Sequence, residues 1–146
     1  MINRERAIYW MSLTGLNFTP SPLTAPVDGP MGWINFNGIT YDLIYSSDDS
    51  GRYVTVQYLT NSYLSRDIDT IEYYVNRSRR GNAKCELYEK GYMVLSSTFR
   101  LTDKFHIEEQ TLRAISEVEP MYKALKEVRD QLFIEIELYI ESLGNC

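Results

Sequence analysis

One histidine, His106, occurs in the 146 residues, and two cysteines, Cys85 and Cys146. Nucleophilic catalysis needs a nucleophile beside a base, and histidine is the usual base near neutral pH. His106 falls at the expected start of a helix, where positive charge is disfavoured, so it reads as a capping or surface residue. Cys85 alternates with Ala83 and Leu87 along a strand-like run, the setting of a buried, inert thiol. Cys146 is the last residue, and nothing suggests the close geometry a disulfide with Cys85 would require. Two reduced thiols fit a cytosolic chain. Without a second histidine or a Cys-x-x-Cys pair there is no ligand set for zinc or thiol-redox chemistry. The carboxylate pairs Glu108-Glu109, Glu117-Glu119 and Glu135-Glu137 stand one or two residues apart on a helix and so do not share a face. No glycine-rich phosphate loop occurs. The expectation is a binding protein rather than an enzyme, with no catalytic residue, no metal and no cofactor.

Two residue groups remain that could bind. Arg77, Arg79 and Arg80, with Lys84 and Lys90 nearby, form the one basic cluster. It could grip phosphates or an acidic segment, or it could merely complement the dipole of the helix it ends. Tyrosine is the stronger signal. There are twelve, and nine lie between Tyr41 and Tyr92. Tyrosine offers a large contact area with a polar tip at low entropic cost, which suits a peptide-binding surface. The candidate partner-binding residues are Trp33, Phe36, Tyr41, Tyr45, Tyr53, Tyr58, Tyr88 and Tyr92.

The elements that must position them follow from periodicity. Residues 3–16 predict a helix with Asn3 as N-cap and Glu5 in its first turn. Ile8, Met11 and Gly15 form one apolar line on it, and Tyr9, Leu13 and Leu16 a second. Residues 18–32 hold Pro20, Pro22, Pro26 and Pro30, which predict an extended connection rather than an element. That segment could fold back over one sheet face. Gly32–Phe36 predicts a short strand ending at Asn37-Gly38, a strong hairpin signal. Ile39–Ser46 follows, with Ile39, Tyr41, Leu43 and Tyr45 on one face. Ser47–Gly51 predicts a polar turn. Tyr53–Thr60 completes a meander, with Val54, Val56 and Tyr58 opposite Tyr53 and Leu59.

Asp67 is the expected cap of a second helix, carrying Ile68, Ile71 and Val75 on one face and running to the arginines, with Gly81 as its stop. Asn82–Glu89 and Tyr92–Leu101 predict a hairpin through Lys90-Gly91. Its inner faces carry Ala83, Cys85 and Leu87, and Met93, Leu95, Phe99 and Leu101. From Ile107 to Leu143 apolar residues recur every three or four positions: Ala114, Val118, Met121, Leu125, Val128, Leu132, Ile136, Tyr139, Leu143. That is one face of a helix about ten turns long at 3.6 residues per turn. Pro120 interrupts it, which predicts a kink between rods 107–119 and 121–143 rather than a break, since the apolar face continues in register. The expected architecture is a single α+β domain over 1–146, ordered α-β-β-β-α-β-β-α, with helices packed on an antiparallel sheet.

The bulk numbers agree with one ordinary globular domain, at 44% hydrophobic and 24% charged residues. The net charge is −5. The segment from Asp103 onward carries ten acidic and five basic residues, and the remainder carries ten of each, so the surplus sits on the long helix. An acidic helix repels phosphates and anionic lipid, which argues against nucleic-acid and membrane partners. The N-terminus lacks the apolar core of a secretion signal, and no apolar run reaches the length of a membrane span. The expected location is cytoplasmic.

The segment from Asp67 to Val128 resembles the YbjN family and the related type III secretion chaperone-like fold. The resemblance rests on the helix IDTIEYYVNRSRRG, closed by Val75-Asn76, on the hairpin AKCELYEKGYMVLSSTFRL, turning at Lys90-Gly91, and on the helix start IEEQTLRAISEVEPMYKAL with Tyr122 partway along. The element order upstream agrees with it. The proline-rich 18–32 stretch and the tail past Leu132 go beyond the family pattern. The resemblance implies a small acidic non-enzymatic adaptor that holds an extended client segment, is often dimeric, and has no catalytic position to carry over.

The leading expectation is therefore a chaperone-like adaptor or assembly factor that binds an extended segment of a partner protein. The alternative is a self-associating regulatory or structural module that dimerises through its last helix. Leu132, Phe133, Ile136, Tyr139, Ile140 and Leu143, on the extended 121–143 part of that helix, are the expected self-association residues. They are apolar on more than one side and reach past the length a sheet of this size offers.

Overall fold

A computed structural model describes residues 3–22, 28–61, 68–88 and 92–144, and side chains throughout these except at 61, 68–70, 87, 88, 92 and 129–144. The first helix, α1 (Arg4–Ser12), starts where the Asn3 side chain accepts the Arg6 N–H at 2.9 Å. It is shorter than expected. The Ser12 hydroxyl donates to the Ile8 carbonyl and the Thr14 hydroxyl to that of Met11, so side chains occupy the last turn's acceptors and the chain turns away. The apolar face is narrower too. Ala7, Ile8 and Met11 are buried, but Tyr9 and Leu13 are exposed and belong to no core.

The 18–32 stretch corrects the expectation of a featureless connection. It contributes a strand, β1 (Phe18–Pro20), and the first part of β2 (Gly29–Phe36). β1 pairs antiparallel with β2, and so extends the sheet in its own plane instead of folding over a face. The two strands can approach because Gly32 carries no side chain. A Cβ there would stand 2.1 Å from the Thr19 carbonyl oxygen, and its φ of 146° also favours glycine.

Asn37 and Gly38, both at positive φ, form the expected two-residue turn into β3 (Ile39–Asp48). The next turn is tighter than the predicted five residues. The Asp48 carboxylate accepts the N–H groups of Ser50 (2.7 Å) and Gly51 (3.1 Å), and β4 (Gly51–Asn61) begins at once.

The second helix, α2 (Ile68–Asn76), ends before the arginines expected to lie within it. Asp67, its expected cap, and the Lys90-Gly91 turn lie outside the described residues. β5 (Lys84–Tyr88) and β6 (Tyr92–Arg100) form the predicted hairpin. The last helix, α3 (Ile107–Gly144), is one helical segment of 38 residues through Pro120, without a break. Asp103 caps its start by accepting the N–H groups of Phe105 and His106.

The described sheet has six strands in the order β1-β2-β3-β4-β6-β5, each neighbouring pair antiparallel. The fold is α+β with helices packed on an antiparallel sheet, as expected, with one more edge strand. The predicted alternation on β3 holds: Ile39, Tyr41, Leu43 and Tyr45 are buried. With Val54, Val56, Met93 and Leu95 they form the inner face. Onto it α3 lays Ile107, Thr111, Ala114, Ile115, Val118, Met121 and Leu125. α1 meets α3 where the Thr111 hydroxyl lies 3.8 Å from the Met11 sulfur, and α2 meets it where the Tyr74 hydroxyl donates to Glu127. All three helices thus lie on one side of the sheet.

Candidate binding surfaces

The opposite face of the sheet has none of the three helices against it. Register defines its composition. One row runs across five strands as Trp33, Asp42, Gln57, Ser96 and Lys84. Trp33 is 38% exposed. Ile44, one step along β3 on the same face, is its diagonal neighbour. On the other side of the polar row, Leu59 is 49% exposed and pairs with Val94. Tyr53 stands on this face between Ser46 and Arg100. The result is an apolar surface cut by a row of hydrogen-bonding side chains. Burial raises the Asp42 carboxyl above its ordinary value, so the row is not fully open to water even without a helix over it.

Both ends of the sheet are protected against an added strand. β1 is three residues long and ends in proline. At β5, the Asn76 side-chain amide accepts the Cys85 N–H at 3.1 Å and donates to the Cys85 carbonyl at 3.4 Å. The last residue of α2 thus imitates a strand partner. The resemblance pointed to Val75-Asn76, and this is the work the asparagine does. Beyond it, Asn82 N–H donates to the Glu117 carboxylate at 2.7 Å, and the Ser97 hydroxyl donates to the same oxygen. Gly81, at φ 56°, lies so close beneath that carboxylate that a Cβ would fall 2.5 Å from it. Sequence periodicity carried no sign of Glu117 as this anchor.

The predicted partner-binding residues divide. Trp33 and Tyr53 stand on the helix-free face. Tyr41 and Tyr45 do not: they are 0% and 1% exposed, in the core. The alternation was right, but it cannot say which face the helices cover. Burial, then the charge of Glu119 and the neighbouring Tyr122 and Tyr58, push the Tyr41 hydroxyl pKa well up. Phe36 and Tyr58 also belong to the inner face, partly buried against the core, with Tyr58 edge-on to Tyr122 at 4.9 Å. Tyr88 and Tyr92 are register partners next to the hairpin turn, and their side chains lie outside the described ones. Leu59 was visible as an apolar residue on the other side of its strand, and it belongs with Trp33 and Ile44.

For the self-association residues Leu132, Phe133, Ile136, Tyr139, Ile140 and Leu143, the backbone is helical and the side chains lie outside the described ones.

A second surface lies beside α1. A cleft of about 640 Å³ is lined by Asn3, Glu5, Arg6, Tyr9, Trp10, Leu13, Asp103 and Lys104. Phe105 is 80% exposed, with the Lys104 ammonium 5.2 Å from its ring centre. His106 is exposed, and its ring is hydrogen-bonded to Asp103, whose carboxyl that bond holds below its usual range. Cys85 is buried, and burial pushes its thiol up to about 12, with Glu72 and Glu86 adding to the shift.

Among the described residues no group of three or more His, Cys, Asp or Glu side chains is placed to hold a metal ion, and no helix is long and apolar enough to cross a membrane. No protein-family model matches the chain, and no curated protein or solved structure matches it.

Proposed function

We propose that the chain is a non-enzymatic, chaperone-like adaptor or assembly factor of the cytoplasm, which holds an extended segment of a partner protein across the helix-free face of its sheet. The observation that carries this reading is Trp33, exposed on β2, on the face that none of the described helices covers. Trp33, Ile44 and Leu59 supply apolar contact. The row Asp42, Gln57 and Lys84 supplies donors and acceptors to an extended backbone. With both sheet edges protected, the segment lies on the face and does not add as a strand. Kinship with the YbjN and secretion-chaperone-like proteins that the sequence resembles is part of this reading.

Selection of short random peptides on the full chain tests this. Selected peptides are expected to lose affinity when Trp33 and Leu59 are both changed to alanine, by about 2 kcal/mol or more for a central aromatic anchor. The double variant should keep the parent's thermal midpoint, because neither side chain is in the core. Peptides that bind parent and variant equally would sink the reading.

A second reading is self-association through the end of α3. The observation in its favour is the unbroken helix to Gly144, which puts positions 132–143 on one rod with the core-packing residues.

A further inference from the structure

The turn after α2 presents a cationic surface that the sheet-face reading does not use. Arg77, Arg79 and Arg80 are all exposed. Among the described residues none of their guanidinium groups has an ion pair or hydrogen bond. This is unexpected in a chain of net charge −5. Three carboxylates close by are already engaged. Glu127 accepts the Tyr74 hydroxyl, Glu117 accepts Asn82 N–H and the Ser97 hydroxyl, and Glu86 pairs with Lys84.

Complementing the helix dipole accounts for Arg77 alone, which directly follows the last residue of α2, while Arg79 and Arg80 stand beyond the helix end. Its final carbonyls are taken by backbone donors: those of Tyr73 and Tyr74 by Arg77 N–H, that of Val75 by Ser78 N–H, and that of Asn76 by Arg79 N–H. The side chains are left free to project.

The display is also rigid. Asn76 is bolted to Cys85, Ala83 N–H closes on the Arg80 carbonyl, and Gly81 and Asn82 are held under Glu117. A turn fixed at both ends loses little backbone entropy on binding. Beside it, Tyr73 and Tyr74 are 69% and 39% exposed, and Tyr73 stands one helical turn before Arg77.

We propose that this turn is a docking site for a short acidic peptide segment of a partner protein, with Arg77, Arg79 and Arg80 taking its carboxylates and Tyr73 packing on its backbone. Guanidinium forks match carboxylates geometrically, and exposed tyrosine supplies contact area between them. A long polyanion is the poorer fit. α3, which carries the acidic surplus, runs against α2, and extended phosphates would meet it. The carboxylates that count are those within about one Debye length, 8 Å, of the arginines, about two or three residues of an extended peptide.

The test is fluorescence anisotropy of a labelled octaglutamate peptide against the full chain, with labelled oligouridylate in parallel. The expected result is saturable, salt-sensitive binding of octaglutamate and weaker binding of oligouridylate. The triple variant R77A/R79A/R80A should lose roughly tenfold or more in affinity, since charge-assisted contacts are removed. Tyr73→Ala should weaken binding by a smaller factor. The arginines hold nothing in the fold, so the triple variant should keep the parent's circular dichroism and thermal midpoint. Trp33→Ala should bind octaglutamate as the parent does, which separates this surface from the sheet face. Absence of octaglutamate binding to the parent, unchanged binding by a folded triple variant, or tighter binding of oligouridylate would each overturn the proposal.

Discussion

Tyr41 shows what a single residue can mislead about and what it can teach. Its strand position and its neighbours' alternation are plain in the sequence, and its polar tip suggested a surface. In the fold its side chain is fully buried, and its hydroxyl has no hydrogen-bond partner among the described residues. A buried hydroxyl without a partner forfeits its hydration. Tyr41→Phe removes the unsatisfied atom and keeps the ring. The expected outcome is a gain of about 1–2 kcal/mol in urea unfolding at unchanged m-value. A loss of stability would mean that the hydroxyl is satisfied in solution.

At the scale of elements, the α2–β5 connection decides how the sheet ends. An edge strand exposes N–H and C=O groups that invite another strand. Asn76 answers with both halves of its amide, accepting from Cys85 N–H and donating to the Cys85 carbonyl. Asn76→Ala leaves those groups without a partner beside a packed helix, at a cost of about 1–3 kcal/mol. It also frees the edge, so the variant should associate with rising concentration in sedimentation velocity while the parent shows no such edge-dependent species. An Asn76→Ala variant as stable and as dispersed as the parent would refute this role. The element itself was legible, since Ile71 and Val75 fall at helical spacing and are buried as read. Periodicity ran its end on to Gly81, whereas α2 ends at Asn76, the residue at which the resemblance closes it and which bonds to a strand nine residues on.

At the scale of the molecule, α3 is one rod with two parts. From Ile107 to Leu125 its buried residues close the core, and Val128 is the last described side chain to pack against it. Helical backbone then continues to Gly144, roughly 24 Å further at 1.5 Å per residue. The chain cut after Val128 should therefore unfold cooperatively with a thermal midpoint near that of the full chain. Under the self-association reading, the full chain sediments as a dimer and the cut chain as a monomer. Equal oligomeric states for the two would remove positions 132–143 from any dimer interface. The net charge of −5 is likewise a property of the whole, yet it hides an exposed cationic turn, because where charges lie matters more than their sum.

The sequence by itself determined the helices and strands, the Asn37-Gly38 hairpin, the burial of Cys85 and the α+β order, because each follows from a period of 2 or 3.6 or from local turn chemistry. It also marked Trp33 and Tyr53 as aromatics on strands. Only the tertiary structure decided which sheet face the helices cover, and so sent Tyr41 and Tyr45 inward while leaving Trp33 and Leu59 outside. It alone turned Phe18–Pro20 into an edge strand, and it alone left Arg77, Arg79 and Arg80 without ion-pair partners among the described residues. These outcomes depend on contacts between residues distant in the chain, and periodicity carries no information about them.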